Sequence, residues 1–88
     1  MVEKYTAKQP QMVEIPQEQV VMAFVATCIE ATARIMGKSY REVYERMKRI
    51  NLIDKYIYPC YNVLHTESRE NLVEDLQKCM ANWERKQL

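Results

Sequence analysis

The side chains best suited to metal binding or covalent chemistry are the three cysteines and the only histidine, Cys28, Cys60, Cys79 and His65. Together they would form the Cys3His ligand set of a zinc site. No two of them lie at the spacing of about two to four residues that is typical of structural zinc sites. Each cysteine instead falls on the apolar face of a predicted helix, where a free thiol behaves as a small buried hydrophobic group. We therefore predict reduced cysteines, no metal site and no cofactor.

A nucleophilic pair of Cys60 and His65 is the second chemical hypothesis. Side chains meet on one helix face when they are three or four residues apart, and these two are five apart. Tyr61 is the residue one turn before His65, and the sequence offers no third polar group to orient the imidazole. We therefore predict no catalytic residue, expect that the protein is not an enzyme, and assign His65 the structural role of ending a helix.

The elements that carry these residues are predicted to be helices. The chain has 88 residues, one glycine and three prolines, which is too few turn formers for a β fold. The sequence predicts an all-α fold, a small four-helix domain over residues 17–88, preceded by a flexible or extended arm over residues 1–16. The predicted helices are Gln17 to Met36, Tyr40 to about Ile50, a third after Asn51 that is broken or kinked at Pro59, and Arg69 to about Arg85.

Local signals fix where these helices begin and end. Gly37, the only glycine, follows the last periodic residue of the first helix and suits a left-handed closing position. Ser39 and Glu42 form a capping box at the start of the second helix, and Thr66 or Ser68 caps the last one. Salt bridges between residues four apart are expected for Glu30–Arg34 and Glu42–Arg46.

Apolar stripes on the long helices predict the core. The first helix has the broadest stripe, which runs from Val21 to Ile35 and makes this helix the expected centre of the domain. The side chains expected to be mostly buried are Phe24, Cys28, Leu72, Leu76 and Trp83.

The surface favours binding of another protein. Six tyrosines and one tryptophan are more than so small a core can hold, and exposed aromatic residues are common at interface hot spots. Tyr5, Met12, Tyr44 and Tyr58 are the expected contacts, and the partner is another protein or a second copy of the chain. The alternative for the tyrosines is that each ring lies inward with its hydroxyl in water.

A DNA-binding regulator is the alternative function. Basic residues cluster around the second helix, and the order of helix, turn and helix suits a helix-turn-helix. Against it, the net charge is only +1, and the helix that would enter the groove carries Asp54, Tyr56, Tyr58 and Tyr61, a poor set for reading bases. Nucleic acid is therefore a partner that we do not favour.

The expected location is the cytoplasm, without contact to a membrane. The N-terminus lacks the basic-then-apolar pattern of a secretory signal. The strongest apolar run, Val20 to Ile29, has about half the length of a membrane span.

The segment Tyr56 to Thr66, together with Phe24 to Glu30 and Glu42 to Tyr44, resembles a family of short bacterial proteins of unknown function that are common in gut anaerobes. The resemblance covers about Val20 to Met80 and leaves the arm outside. It implies a small helical protein without an established activity, encoded beside proteins that include ones resembling ADP-ribosyltransferase toxins, and hence an antitoxin-like or regulatory partner. The signature residues in this segment are Tyr56, Pro59, Cys60, Tyr61, Leu64, His65 and Thr66.

Overall fold

The described part of the chain consists of helices and turns. A computed structural model describes residues 16–86, and these residues contain no β-strand, which confirms the all-α prediction. The expected arm lies outside the described residues apart from Pro16, and the division into arm and domain stays a prediction. The elements are α1 (Gln17–Met36), α2 (Tyr40–Arg49), a π-helical segment (Ile53–Ile57), α3 (Tyr61–Leu64) and α4 (Arg69–Lys86).

The turn between α1 and α2 depends on Gly37. This residue has a φ of 69°, the left-handed conformation that the sequence predicts. Its N–H donates to the carbonyl of Arg34 at 3.3 Å, and the N–H of Lys38 donates to the carbonyl of Ala33 at 2.9 Å. These two bonds satisfy carbonyls at the end of α1 and turn the chain back toward α2.

Gly37→Ala is expected to lower the free energy of unfolding by about 1–2 kcal/mol, because a Cβ makes the left-handed conformation unfavourable. A Cβ at this position would meet nothing within 4 Å, so the loss comes from backbone strain alone. Urea unfolding followed by circular dichroism measures the change. Gly37→Asn is the control and should lose less, because asparagine tolerates this conformation. Equal stability of the wild type and the alanine variant would contradict the assignment.

Two serines cap the helices that follow turns. The Ser39 hydroxyl accepts a hydrogen bond from the N–H of Glu42 at 3.1 Å, as predicted. Ser68 rather than Thr66 caps α4, because its hydroxyl accepts from the N–H of Asn71 at 3.1 Å. The Thr66 hydroxyl instead donates to the carbonyl of Val63 at 2.7 Å, at the end of α3.

The region between α2 and α4 differs from the single interrupted helix that the sequence predicts. Asn51 has a φ of 60° and separates α2 from the next helical turn. In the π-helical segment the N–H of Tyr58 donates to the carbonyl of Ile53, five residues earlier, at 2.9 Å. Residues 58–60 then form a turn before α3 begins. That Pro59 causes the interruption stays a prediction.

The core lies where α2, α4 and the π-helical segment meet one face of α1. Leu72 and Leu76 are buried and Cys28 is fully enclosed, as predicted. Phe24 and Trp83 are partly buried and pack against the core cluster, which agrees with the expectation that they are mostly buried. The fully buried side chains are Ile29, Met47, Leu52, Ile57, Leu76, Met80, Val43, Thr32 and Cys28.

The apolar stripe of α1 is not covered along its whole length. Ala31 is buried, but Ile35, one turn later, is 65% exposed, so the prediction of a continuous buried stripe is wrong at this end. Both residues line a shallow depression of about 270 Å³ between α1 and α4, and this depression leaves the Ile35 side chain in contact with solvent.

An ion pair connects α2 to α4. The Nε–H and Nη2–H groups of Arg46 each donate a hydrogen bond to the carboxylate of Glu84 at 2.8 Å. The predicted Glu42–Arg46 pair is therefore wrong. Glu42 pairs with Lys38 instead, with 3.7 Å between the carboxylate Oε2 and the ammonium Nζ. The predicted Glu30–Arg34 pair is confirmed at 2.8 Å.

Helix α1 is long and apolar enough to cross a membrane, with a mean hydropathy of 1.4 over its most apolar stretch. The central helix of a globular protein has the same properties, and 39% of this stretch is buried within the fold. Cys28, Ile29 and Ala33 of α1 belong to the core, and α1 packs on both α2 and α4. The expectation that the protein does not contact a membrane stays a prediction.

Candidate protein-binding groove

The residues of the signature segment do not converge on one site. Leu64 is buried in the core. Cys60 and Tyr61 are half-buried, and Pro59 and Thr66 are exposed. The remaining two, Tyr56 and His65, make separate polar contacts on different helices.

His65 closes α3 and contacts an aromatic pair. Its Nδ1 lies 2.7 Å from the carbonyl oxygen of Tyr61, to which an Nδ1–H donates. The imidazole also stacks on the Tyr61 ring, with centroids 4.4 Å apart and planes 11° apart. Tyr61 in turn meets Phe24 of α1 edge-on at 5.3 Å. This arrangement satisfies a helix-end carbonyl and directs His65 toward Tyr61 rather than Cys60.

Tyr56 connects the π-helical segment to α4. Its hydroxyl donates a hydrogen bond to the Asp75 carboxylate. The centroids of its ring and of the Trp83 ring are 6.3 Å apart. Burial and the bond to Asp75 raise the pKa of Tyr56. The tyrosine therefore stays protonated at neutral pH and acts as a hydrogen-bond donor between two elements.

Two of the three thiols, those of Cys28 and Cys79, lie in surroundings that oppose activation. Burial raises the pKa of the Cys28 thiol to about 12. The pKa of the Cys79 thiol is raised mainly by burial and also by the negative charge of nearby Asp75. Because the thiolate is the reactive form, raised pKa values oppose nucleophilic attack. Residues 16–86 contain no group of three or more side chains arranged to hold a metal ion. The predictions of no catalysis and no cofactor nevertheless remain untested.

A concave surface lies where α1 faces α2 and the π-helical segment, and we call it the tyrosine groove. It has a volume of about 660 Å³, against about 380 and 270 Å³ for two other depressions in the described part of the chain. Helices α1 and α2 and the π-helical segment with its following turn all contribute side chains. The lining residues are Glu18, Met22, Val25, Ala26, Ile29, Tyr40, Tyr44, Lys48, Asn51, Ile53, Asp54 and Tyr58.

Exposed apolar side chains concentrate in this groove. Three of the five large hydrophobic residues that are exposed in residues 16–86 line it. These are Met22, Tyr40 and Tyr58, which are 58%, 45% and 37% exposed. Single exposed apolar residues need no explanation, but a contiguous patch around a depression is typical of a binding surface.

The groove carries both signs of charge. Glu18 and Asp54 contribute carboxylates, and Lys48 contributes an ammonium that lies 5.8 Å from the centre of the Tyr44 ring. The Lys48 charge is thereby held against the groove wall by a cation–π contact.

The sequence identified only part of this surface. Tyr44 and Tyr58 line the groove, as their assignment as contacts implies, whereas Tyr5 and Met12 lie outside the described residues. Met22 and Ala26 were missed, although they lie four residues apart on α1 and line the groove beside Val25 and Ile29 of the predicted stripe. A second apolar repeat on one helix was the signal that could have identified them.

Comparison with known protein families gives a match over most of the chain. A family model described as a protein of unknown function, DUF3791, matches residues 23–83. No curated protein and no solved structure matches this chain. The matched range includes most of the groove and the whole signature segment.

Proposed function

Because the chain belongs to DUF3791, a family of proteins of unknown function, we propose its function from its surface chemistry. It is a non-enzymatic protein-interaction module that binds a protein partner in the tyrosine groove. The observation that carries this proposal is the concentration of Met22, Tyr40 and Tyr58 around one depression.

The composition of the groove supports a protein ligand. Tyrosine and methionine are enriched at the centres of protein interfaces, and a rigid tyrosine ring loses little conformational freedom on binding. Helices α1 and α2 both line the groove, and a groove between helices can accept the apolar face of a partner helix. An exposed methionine in the lining, Met22, lets such a surface adapt its packing to the partner.

The biological class of the partner follows from the resemblance alone. We propose an antitoxin-like or regulatory role in a bacterial cytoplasm, with the signature segment of residues 56–66 acting as a structural support. The contacts of Tyr56 with Asp75 and of His65 with Tyr61 support that structural role.

A helix-turn-helix DNA-binding regulator remains the second candidate, supported by the α1–turn–α2 arrangement. Two of the basic residues near α2 are engaged within the domain, Arg46 with Glu84 and Lys38 with Glu42. The element after α2 that would enter a DNA groove ends in α3, which has four residues and spans only about 6 Å. Both observations favour a protein partner over DNA.

Photo-crosslinking in the cells that produce the protein tests the groove. Benzoylphenylalanine in place of Met22 is expected to crosslink one discrete protein, because this side chain lies in the groove and is 58% exposed. The matched control replaces Ile35, which is also on α1 and 65% exposed but lies outside the groove. Equal crosslinking from both positions, or none from Met22, would contradict the proposal.

A further inference from the structure

We propose that a second copy of this chain occupies the tyrosine groove, so that the protein is a two-fold symmetric homodimer. This inference rests on the proposed function, because it names a partner for the same surface. Three observations support it: the charges in the groove, the shape of α1 where it lines the groove, and the hydropathy of α1.

The first argument is charge complementarity of the groove with itself. In a two-fold dimer the same patch lies on both sides of the interface, so a patch of one sign would repel its copy. This groove holds the Lys48 ammonium together with the carboxylates of Glu18 and Asp54. Lys48 of one copy can therefore pair with Asp54 of the other, and the two-fold axis generates the same contact a second time.

The second argument is the shape of α1 within the groove. Met22 projects into solvent, and Ala26 lies one turn later on the same lining and leaves room above it. When two α1 helices cross antiparallel with the axis between these positions, Met22 of each copy faces Ala26 of the other. A large side chain then fits over a small one, as in close helix packing.

The third argument is the unusual hydropathy of α1. Its most apolar stretch has a mean hydropathy of 1.4, yet only 39% of that stretch is buried within one copy. A chain of 88 residues has a small core, and association is a common way for such chains to bury more apolar surface. The net charge of +1 gives little long-range repulsion between copies.

Sedimentation velocity of the full chain over a range of concentrations tests the dimer. The wild type is expected to sediment as a reversible dimer, and Met22→Asp should raise its dissociation constant roughly tenfold or more by burying an unpaired charge. Ile35→Asp is the matched control and should leave the dissociation constant unchanged. Circular dichroism establishes that both variants keep their helices, since both positions are exposed.

A charge exchange tests the register independently. Lys48→Glu should weaken the dimer, and adding Asp54→Lys should restore it, because the exchanged pair regains opposite charges. A wild type that stays monomeric throughout the concentration range, or equal weakening by Met22→Asp and Ile35→Asp, would overturn the homodimer. If a monomeric chain still crosslinks a different protein through Met22 in cells, the homodimer fails while the proposed protein-binding function stands.

Discussion

Leu76→Ala is expected to lower the free energy of unfolding by about 2–5 kcal/mol, because the leucine is fully buried and the substitution leaves a cavity. Leu76 lies on α4 within the core cluster, where α4 packs against α1. Domains of this kind are stable by only about 5–15 kcal/mol in total, so the variant should be close to unfolding at physiological temperature. Chemical unfolding followed by circular dichroism measures the loss.

The control for Leu76 is Val63→Ala, which also shortens an aliphatic side chain. Val63 is 64% exposed, so the change should alter stability by no more than about 0.5 kcal/mol. A small effect at Leu76, comparable with that at Val63, would show that α4 does not pack on α1 as described.

The second large effect is expected at the ion pair between α2 and α4. Glu84→Gln should lower stability by about 1–2 kcal/mol at neutral pH, because it removes the charge from a two-bond contact with Arg46. The two side chains are 28% and 29% exposed, so solvent screens their attraction only in part. The control is Glu74→Gln, whose pair with Lys78 is 3.5 Å long and largely exposed and should contribute little.

The same ion pair predicts a dependence of stability on pH. The hydrogen bonds from Arg46 hold the pKa of Glu84 below its usual range, despite an opposing effect of burial. The folded state therefore binds this proton less readily than the unfolded state, where a glutamate titrates near about 4.3. The stabilisation is present above that pH and is lost as the pH falls through the lower folded pKa. Thermal midpoints of the wild type and Glu84→Gln should thus converge in acid, and a gap that stays constant would contradict the contribution of the pair.

Signals that act within a few residues were sufficient to predict the long helices. Gly37 is a strong indicator because only glycine readily adopts the left-handed turn that ends α1. Ser39 offers an acceptor to free N–H groups at the start of α2, and Ser68 does the same at α4. These bonds form within a single helical turn, so their geometry follows from sequence spacing.

Contacts between distant residues could not be predicted in this way. Spacing pairs Arg46 with Glu42, but tertiary packing brings Glu84 to the same guanidinium with two well-aligned bonds. Periodicity identifies the apolar face of a helix but not how far the neighbouring helix covers it, and so Ile35 was expected to be more buried than it is. A π-helical turn differs from an α-helical one by a single residue, and no composition signal distinguishes them.

The candidate site was predicted in part. The excess of tyrosines indicated a binding surface and led to Tyr44 and Tyr58, which line the groove. Met22 and Tyr40 became candidates only when the fold placed them around the same depression. A groove between elements depends on how helices cross, which the pattern along one helix does not contain.

The ion pair between Arg46 and Glu84 also affects the lifetime of the native state. Its partners are 38 residues apart, whereas α1 and α2 are joined by a three-residue turn and can pair early. A contact that closes so long a stretch of chain is expected to form late, after the rate-limiting step of folding. Its free energy then acts mainly on the unfolding rate, so the pair prolongs the lifetime of the native state without making the chain fold faster.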